Sequence, residues 1–119
     1  MATHAVTSQD FNQIVESNDL VFVDFWATWC GPCRAFGPTF EKASEANPDV
    51  YFAKVDIDQN PDLAAAAKVQ AVPTLMVVKK QQIIFQQAGA LRASDLDDLI
   101  SQALSLIHIS EPTRLRRIS

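Results

Sequence analysis

The chain has 119 residues and a formal net charge of −4, from 10 basic and 14 acidic residues. With 48% hydrophobic and 20% charged residues it has the composition of one globular domain that can bury a core, which argues against a disordered chain or a small disulfide-rich scaffold. Its acidity argues against nucleic acid as a partner, no apolar run approaches the roughly 18 residues of a membrane span, and Met1 to Asp10 lacks a basic-then-apolar secretory pattern, so the expected compartment is the cytoplasm.

His4-Ala5-Val6 is a candidate first strand. Thr7 is a candidate cap for the next helix, with Asp10 reaching back to complete a capping box. Phe11, Ile14 and Val15 have the i, i+3, i+4 spacing of a buried helical face. Leu20 to Trp26 is an almost unbroken apolar run, the pattern of a strand covered on both faces, and it holds one acid, Asp24. A helix is expected from about Cys33 to Ala46, kinked at Pro38, which has no N–H and crowds the preceding turn. Val50 to Ile57 is the next strand. Asn60-Pro61-Asp62 supplies a cap, a first-turn proline and a first-turn acid to a helix that continues from Leu63 to Val69. Thr74 to Val78 and Ile83 to Gln86 form a closing hairpin. Ser94 caps a last helix with Leu96, Leu99, Ile100 and Ala103 on one face. The order β-α-β-α-β-α-β-β-α predicts a central mixed sheet flanked by helices, parallel first and antiparallel in the hairpin.

The only cysteines lie in Trp29-Cys30-Gly31-Pro32-Cys33. A C-x-x-C has three readings here. As half of a metal site it lacks ligands: structural zinc takes four, and only His4 and His108 could join. As a pair of buried structural thiols it would be ordinary core. As a redox pair each position has a reason. Cys30 falls just before the helix begins, where unsatisfied N–H groups and the positive dipole end favour a thiolate. Cys33 lies on the same side of the first turn, within reach of a disulfide, and Gly31 and Pro32 suit a tight helix start. The junction of a buried strand with a helix is also where active residues gather, which favours the redox reading. Asp24, a carboxylate in an apolar strand, is expected to have its pKa raised by desolvation.

Val23-Asp24-Phe25-Trp26-Ala27-Thr28-Trp29-Cys30-Gly31-Pro32-Cys33-Arg34 resembles the active-site stretch of the thioredoxin family. Ala53-Lys54-Val55-Asp56, Asp58-Gln59-Asn60-Pro61, Ala71-Val72-Pro73-Thr74-Leu75 and Gly89-Ala90-Leu91 resemble further family segments in the right order, so the likeness covers about residues 5–103. It implies the thioredoxin fold, an α/β domain with a mixed sheet of about five strands and four helices over residues 1–104. It also implies a general dithiol–disulfide oxidoreductase that works through a redox-active Cys30–Cys33 disulfide with no bound cofactor and no metal. Cys30 is then the nucleophile and Cys33 the resolving thiol. Asp24 exchanges a proton with Cys33, and the Lys54 ammonium lies near that acid. Pro73 is the family's cis-proline, beside a Val72 backbone that pairs with an extended client. Trp29, Gly31, Pro32, Val72, Gly89 and Ala90 form an apolar docking patch. Trp26 packs behind the site and Pro38 is structural. The implied partners are thioredoxin reductase and disulfide-bearing client proteins, with no nucleic acid and no membrane, and the chain acts as a monomer. Two other readings stay open: a relative dedicated to one client, and a binding module whose thiols are incidental. The family often has an Asn-Gly turn between its last two strands. Lys79-Lys80-Gln81-Gln82 lacks glycine, so a looser or differently registered hairpin is expected.

Residues 105–119 are expected to be a non-native tail. They hold three arginines, one proline and one glutamate in the last nine positions and show no period; without those arginines and Glu111 the rest of the chain has 7 basic and 13 acidic residues. Leu104 to Arg114 resembles one reading frame of a transposon-end adapter used in preparing DNA libraries, and Pro112 would interrupt any helix. Deleting Ser105 to Ser119 should leave disulfide reduction intact and change stability by no more than about 1 kcal/mol, the scale of helix-end effects. Chemical denaturation of the truncated chain checks this, and loss of folding would mark the tail as native.

Overall fold

A computed structural model describes residues 2–105; the remainder of the expected tail, 106–119, lies outside the described residues. The elements are β1 (Thr3–Ala5), α1 (Phe11–Ser17), β2 (Leu20–Trp26), α2 (Gly31–Ala46), β3 (Tyr51–Asp56), α3 (Pro61–Ala66), β4 (Thr74–Lys79), β5 (Gln82–Ala88) and α4 (Ala93–Ser105). They build one sheet in the order β1-β3-β2-β4-β5. β3 pairs in parallel with β1 and β2, and β4 pairs antiparallel with β2 and β5. This is the expected thioredoxin fold.

β2 sits at the centre, and its alternation divides the core in two. Phe22 packs with Phe36 and Phe40 of α2 and with Leu96 and Ile100 of α4. Val21, Val23 and Phe25 point the other way, to Ala53 and Val55 and to the α1 and α3 side, where Ile14 and Leu63 close over them. Successive side chains of a strand face opposite layers, so a strand buried on both sides must be apolar throughout. That explains the Leu20 to Trp26 run and makes Asp24 its exception.

Several boundaries differ from expectation for local reasons. Asp10 does reach back, its Oδ1 accepting from the Thr7 N–H at 2.7 Å, but the Thr7 hydroxyl turns to the same carboxylate at 3.0 Å, so only half of the capping box forms. α2 begins at Gly31 rather than Cys33, because Cys30 itself is the cap. Pro38 lies inside α2 without ending it. α3 stops at Ala66, short of Val69. Lys68 adopts φ 60°, and the Val69 N–H reaches back to the Ala64 carbonyl at 2.9 Å, a helix end usually built on glycine. α4 opens one residue before Ser94, with the Arg92 carbonyl accepting from the Leu96 N–H at 3.0 Å, so Ser94 lies in the first turn.

The β4–β5 hairpin corrects the expectation of a loose turn. Lys79 pairs directly with Gln82, and the two residues between them take the positive φ of a tight turn, 50° at Lys80 and 67° at Gln81. The irregularity falls instead within the strands, as a register shift between Val77 and Val78. Contacts on both sides hold the turn. The Lys80 N–H donates to the Asp19 carbonyl at 2.8 Å, and the buried Lys79 side chain donates from Nζ to the Ala103 carbonyl at the end of α4. L-residues are disfavoured in left-handed backbone by roughly 1–2 kcal/mol each. Replacing Lys80 by Asn together with Gln81 by Gly should therefore raise stability by about 1 kcal/mol and the melting temperature by roughly 4–8 °C. Differential scanning calorimetry checks it.

Candidate active site

β2 leaves the sheet at Trp26, and the chain passes through buried Ala27 to Cys30, whose N–H bonds the Ala27 carbonyl at 3.2 Å. Cys30 is extended, with φ −91° and ψ 114°, and caps α2. Gly31 and Pro32 fill the first two helical positions, where a missing N–H loses no bond. The Cys33 N–H donates to Cys30 Sγ at 3.1 Å. The cysteines are joined in a disulfide with their Cα atoms 5.3 Å apart. Each is only 4% exposed, so burial does not distinguish them. Hydrogen bonding does: the helix directs an N–H at Cys30, and the positive end of its dipole lies there.

A second loop faces the disulfide. The Val72–Pro73 bond is cis, as expected from the resemblance, and the Val72 carbonyl oxygen lies 3.6 Å from Cys30 Sγ. The Gly89 N–H donates to the Pro73 carbonyl at 2.8 Å, and Gly89 takes φ 106°, a backbone that L side chains rarely adopt. These bonds bring Val72, Pro73, Gly89 and its neighbour Ala90 to the cysteine end of the sheet. Gly31, Pro32, Gly89 and Ala90 are exposed, Val72 is half-buried and Pro73 buried. Trp29 is 65% exposed. Its indole Nε1–H donates to Asp58 Oδ2 at 2.9 Å, and the Asp58 N–H donates in turn to Asp56 Oδ1 at 2.9 Å. Arg34 Nη1 donates to the Thr28 carbonyl at 2.9 Å across the cysteine turn. Sequence reasoning gave no role to Asp58 or Arg34. No spacing rule links an acid to an indole 29 positions away.

Asp24 lies beneath α2. Phe22 points to the α2 layer, so by alternation Asp24 and Trp26 do too. Asp24 is 1% exposed, and among the described residues neither carboxylate oxygen has a hydrogen-bond partner. Burial pushes its pKa up to about 7, against the opposing attraction of Lys54. Lys54 is its direct neighbour on β3. The Lys54 ammonium sits 5.2 Å from the centre of the Trp26 ring and 3.7 Å from where a Cβ on Gly37 would project. Trp26 is half-buried against the Ala27, Cys30 and Cys33 cluster, behind the disulfide. Among the described residues no group of three His, Cys, Asp or Glu side chains is placed to hold a metal ion, and no helix is long and apolar enough to cross a membrane.

The profile of the Thioredoxin family matches residues 2–102. The chain is 50% identical over 105 residues to a provisionally named thioredoxin 2 of Streptomyces coelicolor, covering 88% of this chain and 78% of that one. A solved variant of the thioredoxin of Halobacterium salinarum superposes with a TM-score of 0.83 at 33% identity, over 88% of this chain and 93% of the other. A second solved chain, from work on thiol resolution in yeast mitochondrial 1-Cys peroxiredoxin via the glutathione and thioredoxin systems, gives a TM-score of 0.78 at 35% identity, over 85% and 95%. With its disulfide at the start of α2 facing a cis-proline loop, the chain belongs to the thioredoxin family and is a dithiol–disulfide oxidoreductase.

Proposed function

We propose that the protein is a general reductant of client-protein disulfides in the cytoplasm, recharged by a thioredoxin reductase, with Cys30 attacking and Cys33 resolving. The observation that carries the order of attack is the Cys33 N–H directed at Cys30 Sγ. In the dithiol form that N–H and the helix dipole favour the Cys30 thiolate. The thiolate attacks one sulfur of the client disulfide, forming a mixed disulfide and releasing the other client sulfur as a thiolate. Cys33 then loses its proton and attacks Cys30 Sγ. The Cys30–Cys33 disulfide forms, the second client thiol leaves, and two electrons have moved to the client. The reductase returns two electrons and two protons. The two electrons are carried by the Cys30/Cys33 dithiol, whose oxidised form is the disulfide, so this cycle calls for no bound cofactor.

Asp24 is the proposed acceptor of the Cys33 proton. A carboxyl that titrates near neutrality can take a proton and return it at working pH. The Lys54 ammonium favours its charged form. The client lies as an extended strand along Val72, whose carbonyl lies against Cys30 Sγ, between Trp29, Gly31 and Pro32 on one side and Gly89 and Ala90 on the other. The similar chain solved in work on thiol resolution in a 1-Cys peroxiredoxin supports oxidised protein cysteines as the client class. The working unit is residues 1–104.

Cys30→Ser should abolish reduction of a generic protein disulfide in an assay coupled to thioredoxin reductase. Cys33→Ser should still attack but stop at a mixed disulfide, seen as a client adduct by mass spectrometry. Equal trapping by both variants would reverse the assignment.

Asp24 also sets a pH dependence of stability. Its folded pKa is raised, so the folded state holds the proton more tightly than the unfolded chain does. Its contribution is fully present below about pH 4 and is lost as pH rises through about 7. A shift of this size corresponds to at most about 4 kcal/mol, so Asp24→Ala should stabilise the protein at pH 8 by about 1–3 kcal/mol after the loss of packing. The gain should vanish at pH 4. Urea unfolding at both pH values checks it, and a variant destabilised at pH 8 would contradict the burial argument.

A further inference from the structure

Glu41 has no part in the mechanism above, yet it lies on the same stripe of α2 as Cys33. Cys33, Gly37 and Glu41 are four residues apart in turn, so they line one side of the helix. Beneath that stripe the sheet presents Asp24 on β2, Lys54 on β3 and Thr3 on β1. Phe52 and Phe22 belong to the α2-side core, which places Lys54 and Asp24 on that side by alternation. The Lys54 ammonium projects into the space that Gly37 leaves by having no Cβ, over the Trp26 ring. One turn further on, the Glu41 carboxylate is fixed at the β1 edge. Its Oε1 accepts from the Thr3 hydroxyl at 2.6 Å and its Oε2 from the Ala2 N–H at 2.9 Å. Both oxygens are held, so the charge stays in place. Lys54 acts electrostatically on both carboxylates, the buried one and the edge one.

We propose that Glu41 is a positioning residue for the exchange reaction: it competes with Asp24 for the Lys54 ammonium and so limits how far Lys54 can favour the ionised form of Asp24. The proposal rests on the reading of Asp24 as proton acceptor for Cys33. Glu41 acts by drawing the Lys54 ammonium toward the β1 edge. The other charged groups near this layer are accounted for. Asp56, at the end of β3, accepts from the Asp58 and Gln59 N–H groups. From α2 comes Cys33, and β4 sets uncharged Leu75 opposite Asp24. Lys79, at the far end of β4, donates to α4. The amino terminus joins Thr3, Ala2 and Lys54 in holding the Glu41 carboxyl below its ordinary range, the Thr3 hydroxyl being the largest cause. Glu41 thus carries its charge across the range in which Asp24 titrates.

The test is Glu41→Gln, which keeps the side chain's shape and one acceptor but removes the charge. The Asp24 carboxyl is followed by 13C NMR in the oxidised protein, and decay of the Cys30 mixed disulfide is timed against pH in the reduced one. The Asp24 midpoint should fall by about 0.3–1 pH unit, and the shift should shrink in 1 M salt. The resolving step should move in the same direction. Glu41→Asp should lie nearer the wild type, and Asp49→Asn, an acid on the loop before β3, should not move the midpoint. An unchanged NMR midpoint in Glu41→Gln overturns the proposal, even if the melting temperature falls. Asp24→Asn separates the two layers of the reading. If it leaves the pH profile of the resolving step unaltered, the proton-acceptor role fails, while the NMR midpoint still decides whether Glu41 tunes the carboxyl.

Discussion

The hydrogen bond from the Cys33 N–H to Cys30 Sγ is the constraint on which the reactive end of the molecule depends. It makes one residue serve as the cap of a sixteen-residue helix and as an electron-carrying sulfur. A cap must be extended while its side chain faces the first turn. That places Cys30 where the β2 strand hands over to α2, and it leaves Gly31 and Pro32 as the exposed first turn. The remaining contacts adjust to that cap. Arg34 closes the turn onto Thr28, and the Val72 carbonyl lies against the sulfur from the other side.

Behind this cap the protein tolerates a charge where apolar packing would be more stable. Every other residue from Leu20 to Phe25 is hydrophobic and buried, and Asp24 sits among them with no hydrogen-bond partner among the described residues. An unpaired buried polar group is costly, so its position makes physical sense as a trade of stability for a group that titrates near neutrality. Lys54 moderates the penalty without removing it, while its ammonium lies over the Trp26 ring.

Much of this was legible in the sequence because the signals were local. The unbroken run at Leu20 to Trp26, the cysteine spacing and the Asn60-Pro61-Asp62 helix start each encode their structure within a few residues. What was not legible depended on partners far along the chain. The tight turn at Lys80 and Gln81 contradicts local propensity and is held by Asp19 and by the Lys79 contact with α4. The left-handed Lys68, which ends α3 early, likewise lacks the glycine that would announce it. Asp58 and Glu41 are surface acids by composition. Only the fold sets one on the Trp29 indole and the other on the Thr3 hydroxyl.

The order of attack depends on which sulfur is the thiolate. In the reduced protein at neutral pH, competition between the cysteines for a limiting amount of iodoacetamide, read by peptide mass spectrometry, reports this without mutation. The Cys33 N–H and the helix dipole predict that Cys30 is alkylated first, with an apparent pKa below the roughly 8.5 of a free thiol. Preferential labelling of Cys33, or a Cys30 that titrates like a free thiol, would contradict it.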